Sequence, residues 1–327
     1  MTRLLPIAAG ALLVGLLSAW SAPASAQAPV FPAKPLRMVV PYAAGGIADV
    51  LGRLVAQRLG ALYGLPVIVE NRPGSGGHVG AEGVARGSAD GYTLMLATIA
   101  HNAAWSMYSN LPYDPPKELI PLIMVGDGAG VLIVHPSLPV KSVQELIALA
   151  RSKPGWLNYG SAGHGSALHM AAELFRMLAQ VELTHVVYKG SAPATIDLVA
   201  GRIELMFDNV TTAQQLIAAG RVRALATTGA RRNPSLPNLP TLAEAGVPGY
   251  ESVPWYTVSV SARTPADLLK RLNADLNAVI RAPDLAARWA ELGITPTGGT
   301  IDEALRRNQA ETERWSKLIR LARLKAE

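Results

Sequence analysis

The sequence predicts an α/β protein. Short β-rich runs alternate with helical patterns almost throughout, and the helix starts and stops carry capping residues. Half of the 327 residues are hydrophobic and only 17% are charged, which excludes a disordered chain and calls for a large buried core. At about 100–200 residues per domain, the length suggests two domains.

The elements follow in order. Met1-Thr2-Arg3, an uncharged apolar run from Leu4 to Trp20, and the small-x-small triplet Ala24-Ser25-Ala26 read as a signal peptide over 1–26, cleaved after Ala26. A membrane anchor fits less well, because the run is shorter than the ~20 residues of a span and ends at Pro23. The remaining 301 residues, with formal net charge lowered from +6 to +5 by loss of Arg3, are expected to be soluble and periplasmic.

Leu36 to Val40 predicts a first strand, ended by Pro41-Tyr42-Ala43-Ala44-Gly45-Gly46. Ile47, Val50, Leu51, Leu54, Val55 and Leu59 then recur at spacings of three and four, which predicts an amphipathic helix. Pro66 to Glu70 predicts a second strand, His78 to Arg86 a short helix and Tyr92 to Thr98 a third strand. Ser142 with Glu145 reads as the capping box of a helix that stops before Pro154-Gly155. Ser191, Pro193 and Gly201 read as the cap, early-turn and C′ residues of another. Thr241 with Glu244 reads as the start of a short helix ending at Gly246, and Thr264-Pro265 as the start of one reaching about Arg281. Ile301 to Arg323 predicts a long final helix with apolar Leu305, Trp315, Ile319 and Leu321. No single linker between two consecutive domains is visible.

Several chemistries are excluded. Without cysteine there is no disulfide, thiol nucleophile, cysteine zinc site or lipidated N-terminal cysteine. The 30 basic residues form no block of five like charges, so no nucleic-acid partner is expected. The nucleophile elbow is absent, the dinucleotide spacing fails at Val79, and there is no Gly-x-x-x-x-Gly-Lys phosphate loop. His164 and His169 are five apart and do not share a helix face, so neither a metal nor a cofactor is expected. An exported hydrolase or isomerase using His164 or His169 as base is the alternative from another functional class.

The binding candidates are loops. Ala43 to Gly46 opens the helix at Ile47, with Asp49 in its first turn; glycines there expose amide donors at the positive end of a helix dipole. Asn158 to Ser166 leads into a helix over Ala167 to Ala179, and its glycines and serines make a neutral cradle without a cation. Gly74 to Gly77 reads more readily as a structural turn. Asp208 follows the strand candidate Ile203 to Phe207, either as a ligand acceptor or as a helix cap. Trp255 and Tyr256 read either as ligand-stacking rings or as core.

These loops in this order resemble the extracytoplasmic solute receptors of the tripartite tricarboxylate transporter family (TctC, or Bug receptors). The matching segments are Lys34-Pro35-Leu36-Arg37, Val39-Val40-Pro41-Tyr42, Gly45-Gly46 with Asp49, Val69 to Gly74 with Gly76-Gly77, and Asp90 to Leu94. Further on come Tyr159 to Gly163, Tyr188 to Pro193, Phe207-Asp208, Leu239-Pro240-Thr241 and Pro248 to Glu251. The resemblance implies a two-lobed periplasmic-binding-protein fold (type II-like) with two crossing strands as hinge. It places domain 1 at 27–128 plus 257–327 and domain 2 at 129–256. It also implies a non-enzymatic receptor for a small carboxylate (a di- or tricarboxylate, amino acid or aromatic acid). Its partners would be membrane transporter subunits or a sensor kinase, and a monomer is expected. The implied ligand-binding residues are Tyr42, Ala44, Gly45, Gly46, Asp49, Thr98, His101, Asn102, Ser161, Gly163, His164, Ser166 and Asp208. Where the family usually reads Pro-Gly-Gly with a Ser or Thr before the Asp, this chain has Ala44 and Ala48. After Trp255, the family's usual Gly and its later Pro-Ala-Gly-Thr run give way to Thr257 and Ser261-Ala262-Arg263-Thr264.

Overall fold

The parallel strands form where buried aliphatic runs are followed by amphipathic helices. β1 (Leu36–Val40), α1 (Ile47–Tyr63), β2 (Val67–Asn71), α2 (His78–Ala85) and β3 (Thr93–Ala97) make two successive βαβ units, with β1 paired in parallel to both β2 and β3. These coordinates are a computed structural model that describes residues 31–326; the expected leader at 1–26 lies outside the described residues. Two short helices, α3 (Ile99–Asn102) and α4 (Pro115–Glu118), then lead into the long strand β4 (Leu119–Asp127).

From β4 the chain crosses to a second sheet. β5 (Gly130–Val134), α5 (Val143–Ser152), β6 (Asn158–Ser161), α6 (Ala167–Ala179), β7 (Thr184–Val187), α7 (Ser191–Val199), β8 (Leu205–Asn209), α8 (Val210–Ala218) and β9 (Arg223–Thr227) build five strands in the order β7-β6-β8-β5-β9. The chain then returns through β10 (Trp255–Ser261), α9 (Ala266–Ile280), α10 (Ala286–Glu291), β11 (Thr295–Gly298) and α11 (Ile301–Leu321). β10 inserts antiparallel between β3 and β4, giving the first sheet the order β11-β4-β10-β3-β1-β2. The protein is therefore a two-lobed α/β structure whose first sheet is assembled from both ends of the described chain. The two crossings run side by side, with the Gly128 N–H donating to the Pro254 carbonyl at 2.7 Å next to the antiparallel pair Trp255–Asp127.

Three local expectations change. Gly190 caps α7, so Ser191 is its first helical residue. Thr241 and Glu244 do exchange capping hydrogen bonds, at 3.1 Å each, but residues 242–246 form a hydrogen-bonded turn that does not grow into a helix. On α11 the buried seam is Ala304, Glu311, Trp315, Leu318 and Ile319, while Leu305 and Leu321 are exposed. At 100° per residue, Leu321 lies well over a right angle around the helix from Trp315, which is why it faces out.

The core of the second lobe gathers Leu132, Phe175, Phe207 and Tyr250. A separate cluster joins the lobes: Met170 of α6 packs with Trp255 of β10 and Trp315 of α11. Burying aromatic rings of this size dominates local packing energetics.

Candidate functional site

Where the lobes face each other lies a small cavity of about 30 Å³. Its wall is built largely from helix beginnings. Gly46, Ile47 and Ala48 come from the start of α1; Ser166, Ala167 and Leu168 from the start of α6; Ser191 opens α7, and Asn209 is the residue before α8. The first N–H groups of a helix have no intrahelical partner, and each helix start carries about half a positive charge. Ala43, Tyr42, Thr98, Ala162 and Tyr256 complete the wall, and no charged side chain takes part. Four helix starts without a cation suit an oxygen-rich anion.

The α1 loop is held by Asp49. Its carboxylate accepts from the Gly45 N–H (3.1 Å), Arg53 Nε (3.0 Å) and Asn71 Nδ2 (2.9 Å). Burial raises its pKa, but these bonds outweigh burial and leave it below the usual carboxylate range. Gly45 needs its left-handed φ of 90° to make the turn. The loop reaches the other lobe directly: the Ala43 N–H donates to the Lys189 carbonyl at 2.9 Å, and a methyl on Gly46 would come within 2.5 Å of Ser191 Oγ.

Thr98 caps α3, and its hydroxyl pairs with the Tyr42 hydroxyl at 2.8 Å. Behind it, His101 Nδ1 accepts from the Thr98 N–H at 3.3 Å, and burial lowers the imidazole pKa to about 4. Asn102 Nδ2 donates to Thr257 Oγ1 at 3.0 Å. In the second lobe Ser166 caps α6, its Oγ accepting from the His169 N–H at 3.3 Å. Ser161 Oγ accepts from the Gly163 N–H at 3.1 Å and contacts His185 Nε2 at 2.6 Å. Asp208 is 3% exposed, and burial pushes its pKa up to about 6 against bonds led by the Asn209 N–H at 2.8 Å.

Of the thirteen residues nominated from the sequence, Tyr42, Gly46, Thr98 and Ser166 line the cavity. Ala44, Gly45, Asp49, His101, Asn102, Ser161, Gly163, His164 and Asp208 lie outside its lining, several of them bonded to the loops that form it. Sequence reasoning did not nominate Ser191 or Asn209, and left Tyr256 open between ligand contact and core. Asn209 is 2% exposed; its Oδ1 accepts from the Tyr256 hydroxyl at 2.8 Å, while its Nδ2 is buried without a hydrogen-bond partner. The sequence offers the helix cap at Asp208, one residue earlier; the structure puts Asn209 just before α8, without a side-chain capping bond.

One cluster has metal-ligand composition. Nitrogens of His164, His169 and His185 lie within 4.8 Å of one another. The His169 and His185 rings stack at 4.2 Å with planes 19° apart, so their in-plane lone pairs run side by side and do not converge. His169 Nδ1 also accepts from the Gly165 N–H at 3.1 Å. As arranged, the rings back the loop 161–166; a metal would require one of them to turn.

Comparison with known proteins agrees with this architecture. Residues 51–324 match the family model described as the tripartite tricarboxylate transporter family receptor, TctC. Protein BugT of Bordetella pertussis is 34% identical over 98% of this chain and 97% of its own. The structure of Rpa4515 from R. palustris with adipate is 40% identical, superposes with a TM-score of 0.87, and is matched over 90% of this chain and 99% of that one. MatC from Rhodopseudomonas palustris with bound malate is 29% identical with a TM-score of 0.84, over 88% and 100% of the two chains. The chain belongs to the TctC family of tripartite tricarboxylate transporter receptors.

Proposed function

We propose that this chain is a periplasmic solute receptor that captures a small carboxylate between its lobes and presents it to membrane subunits of a tripartite transporter. The observation that carries this reading is the convergence of the α1, α6, α7 and α8 starts on one uncharged cavity, with Asn209 Nδ2 as an unused donor. Relatives with adipate and malate bound support the ligand class. Among the described residues no helix is long and apolar enough to cross a membrane.

In this reading the lobes, 27–128 plus 257–327 and 129–256, close about the paired crossings near Gly128 and Pro254. A ligand that touches both lobes favours the closed arrangement by its extra affinity for it. The protein performs no chemistry on the ligand: Ser161 and His185, a nucleophile–base pairing in type, lie outside the cavity lining. Isothermal titration with a panel of small carboxylates tests the proposal. Binding at micromolar or tighter dissociation constants, with the ligand recovered unchanged, is expected; no heat with any small acid refutes it.

A further inference from the structure

Resting on that receptor reading, we propose that the ligand is a carboxylate with an unsubstituted hydrocarbon body, and that hydroxy and amino acids of the same length are rejected. The wall divides by chemistry. Donors for an anionic end come from the helix starts and from Asn209 Nδ2, which is buried and unpartnered. The rest is mainly carbon, the methyls of Ala43, Ala48, Ala162 and Ala167 with Ile47 and Leu168, beside the hydroxyls of Tyr42, Thr98, Ser166, Ser191 and Tyr256.

Four of the wall's five hydroxyls have a partner, and the fifth, Ser191 Oγ at the start of α7, belongs with the donors for the anionic end. Tyr42 pairs with Thr98, Ser166 Oγ receives the His169 N–H, and the Tyr256 hydroxyl donates to Asn209. A ligand hydroxyl along the hydrocarbon body would leave water for a surface that is mainly methyl groups. A ligand ammonium fares worse. No carboxylate lines the cavity, Asp49 is saturated by three donors, and the helix starts repel a cation. Ala48 concentrates the effect, because it places a methyl in the first turn of α1 beside the anion-binding amides.

The test is titration of the full receptor with matched acids differing by one group: succinate with malate and aspartate, glutarate with glutamate, and hexanoate with norleucine. Each unsubstituted acid that binds is expected to do so at least about tenfold more tightly than its hydroxylated or aminated counterpart. Equal or tighter binding of malate, aspartate, glutamate or norleucine overturns this inference and leaves the receptor reading standing. Failure of every acid to bind overturns both. Ala48→Ser, checked for an unchanged melting curve, is expected to narrow the succinate-to-malate ratio severalfold; an unchanged ratio counts against the carbon wall.

Discussion

Replacing Asp208 by asparagine removes one titrating group from the protein's interior. Burial raises the Asp208 pKa from an ordinary 3.8 to about 6, and the residue is 3% exposed. A group whose folded pKa lies above its unfolded value contributes its full stability below the unfolded pKa. That contribution is lost as pH rises through the folded pKa. The loss therefore accumulates between about pH 4 and pH 6 and levels off above about pH 7. Two pKa units at 1.36 kcal/mol each set the scale at about 3 kcal/mol. Asparagine keeps a carbonyl oxygen for the Asn209 N–H and does not ionise. Urea unfolding of both proteins from pH 4 to 8 isolates the effect, because the buried histidines are common to both and cancel in the difference. The stability of Asp208→Asn relative to the parent is expected to rise by about 1–3 kcal/mol across pH 4–7 and then to flatten. A difference that is flat with pH, or that falls, refutes the assignment of a desolvated carboxyl at this position.

Three further outcomes are expected. Gly76 holds a left-handed φ of 63°, and a methyl there would overlap the His164 carbonyl oxygen and the Tyr108 hydroxyl; Gly76→Ala should hold the lobes apart, enlarge the radius of gyration in X-ray scattering and weaken ligand binding at least about tenfold. Asn209→Ala should weaken carboxylate binding about tenfold to a hundredfold in titration calorimetry, the scale of a hydrogen bond to a charged group, with the fold retained. Burial lowers the pKa of His101 to about 4, of His169 to about 3 and of His185 to about 2, so the stability they support is present above about pH 6.5 and declines as pH falls toward those values. His169→Gln should flatten the acid limb of the melting-temperature profile between about pH 6.5 and 4.

The α/β alternation was legible because each parallel strand is a short buried run followed at once by a helix with a three-four apolar spacing. The two glycine-rich loops were legible because turn residues stand directly before helix starts. The pairing of β10 between β3 and β4 was not written locally; Val258 opposite Leu96 is a contact between segments far apart in the chain. For the same reason Ser191 reads only as an ordinary helix-start residue and Asn209 draws no notice beside Asp208, since strand order alone brings α7 and α8 to the cavity. Asp49 shows the limit of local reading: an acid in a first turn looks the same whether it faces a ligand or braces the loop, and here Arg53 and Asn71 donate to its oxygens. Family membership, which the ordered motifs implied, is the part of the reading that the comparisons establish directly.

The helix starts are unequally divided between the lobes. Three of the four, those of α6, α7 and α8, belong to the five-stranded half, and α1 alone comes from the other. In the proposed receptor, an incoming anion would meet most of the attractive field before the halves close, and α1 would arrive last. Association and residence then depend on different stretches of chain: changes around 166–168, 191 and 209 would alter how fast a ligand is caught. Changes around 43–48 would alter how long it stays.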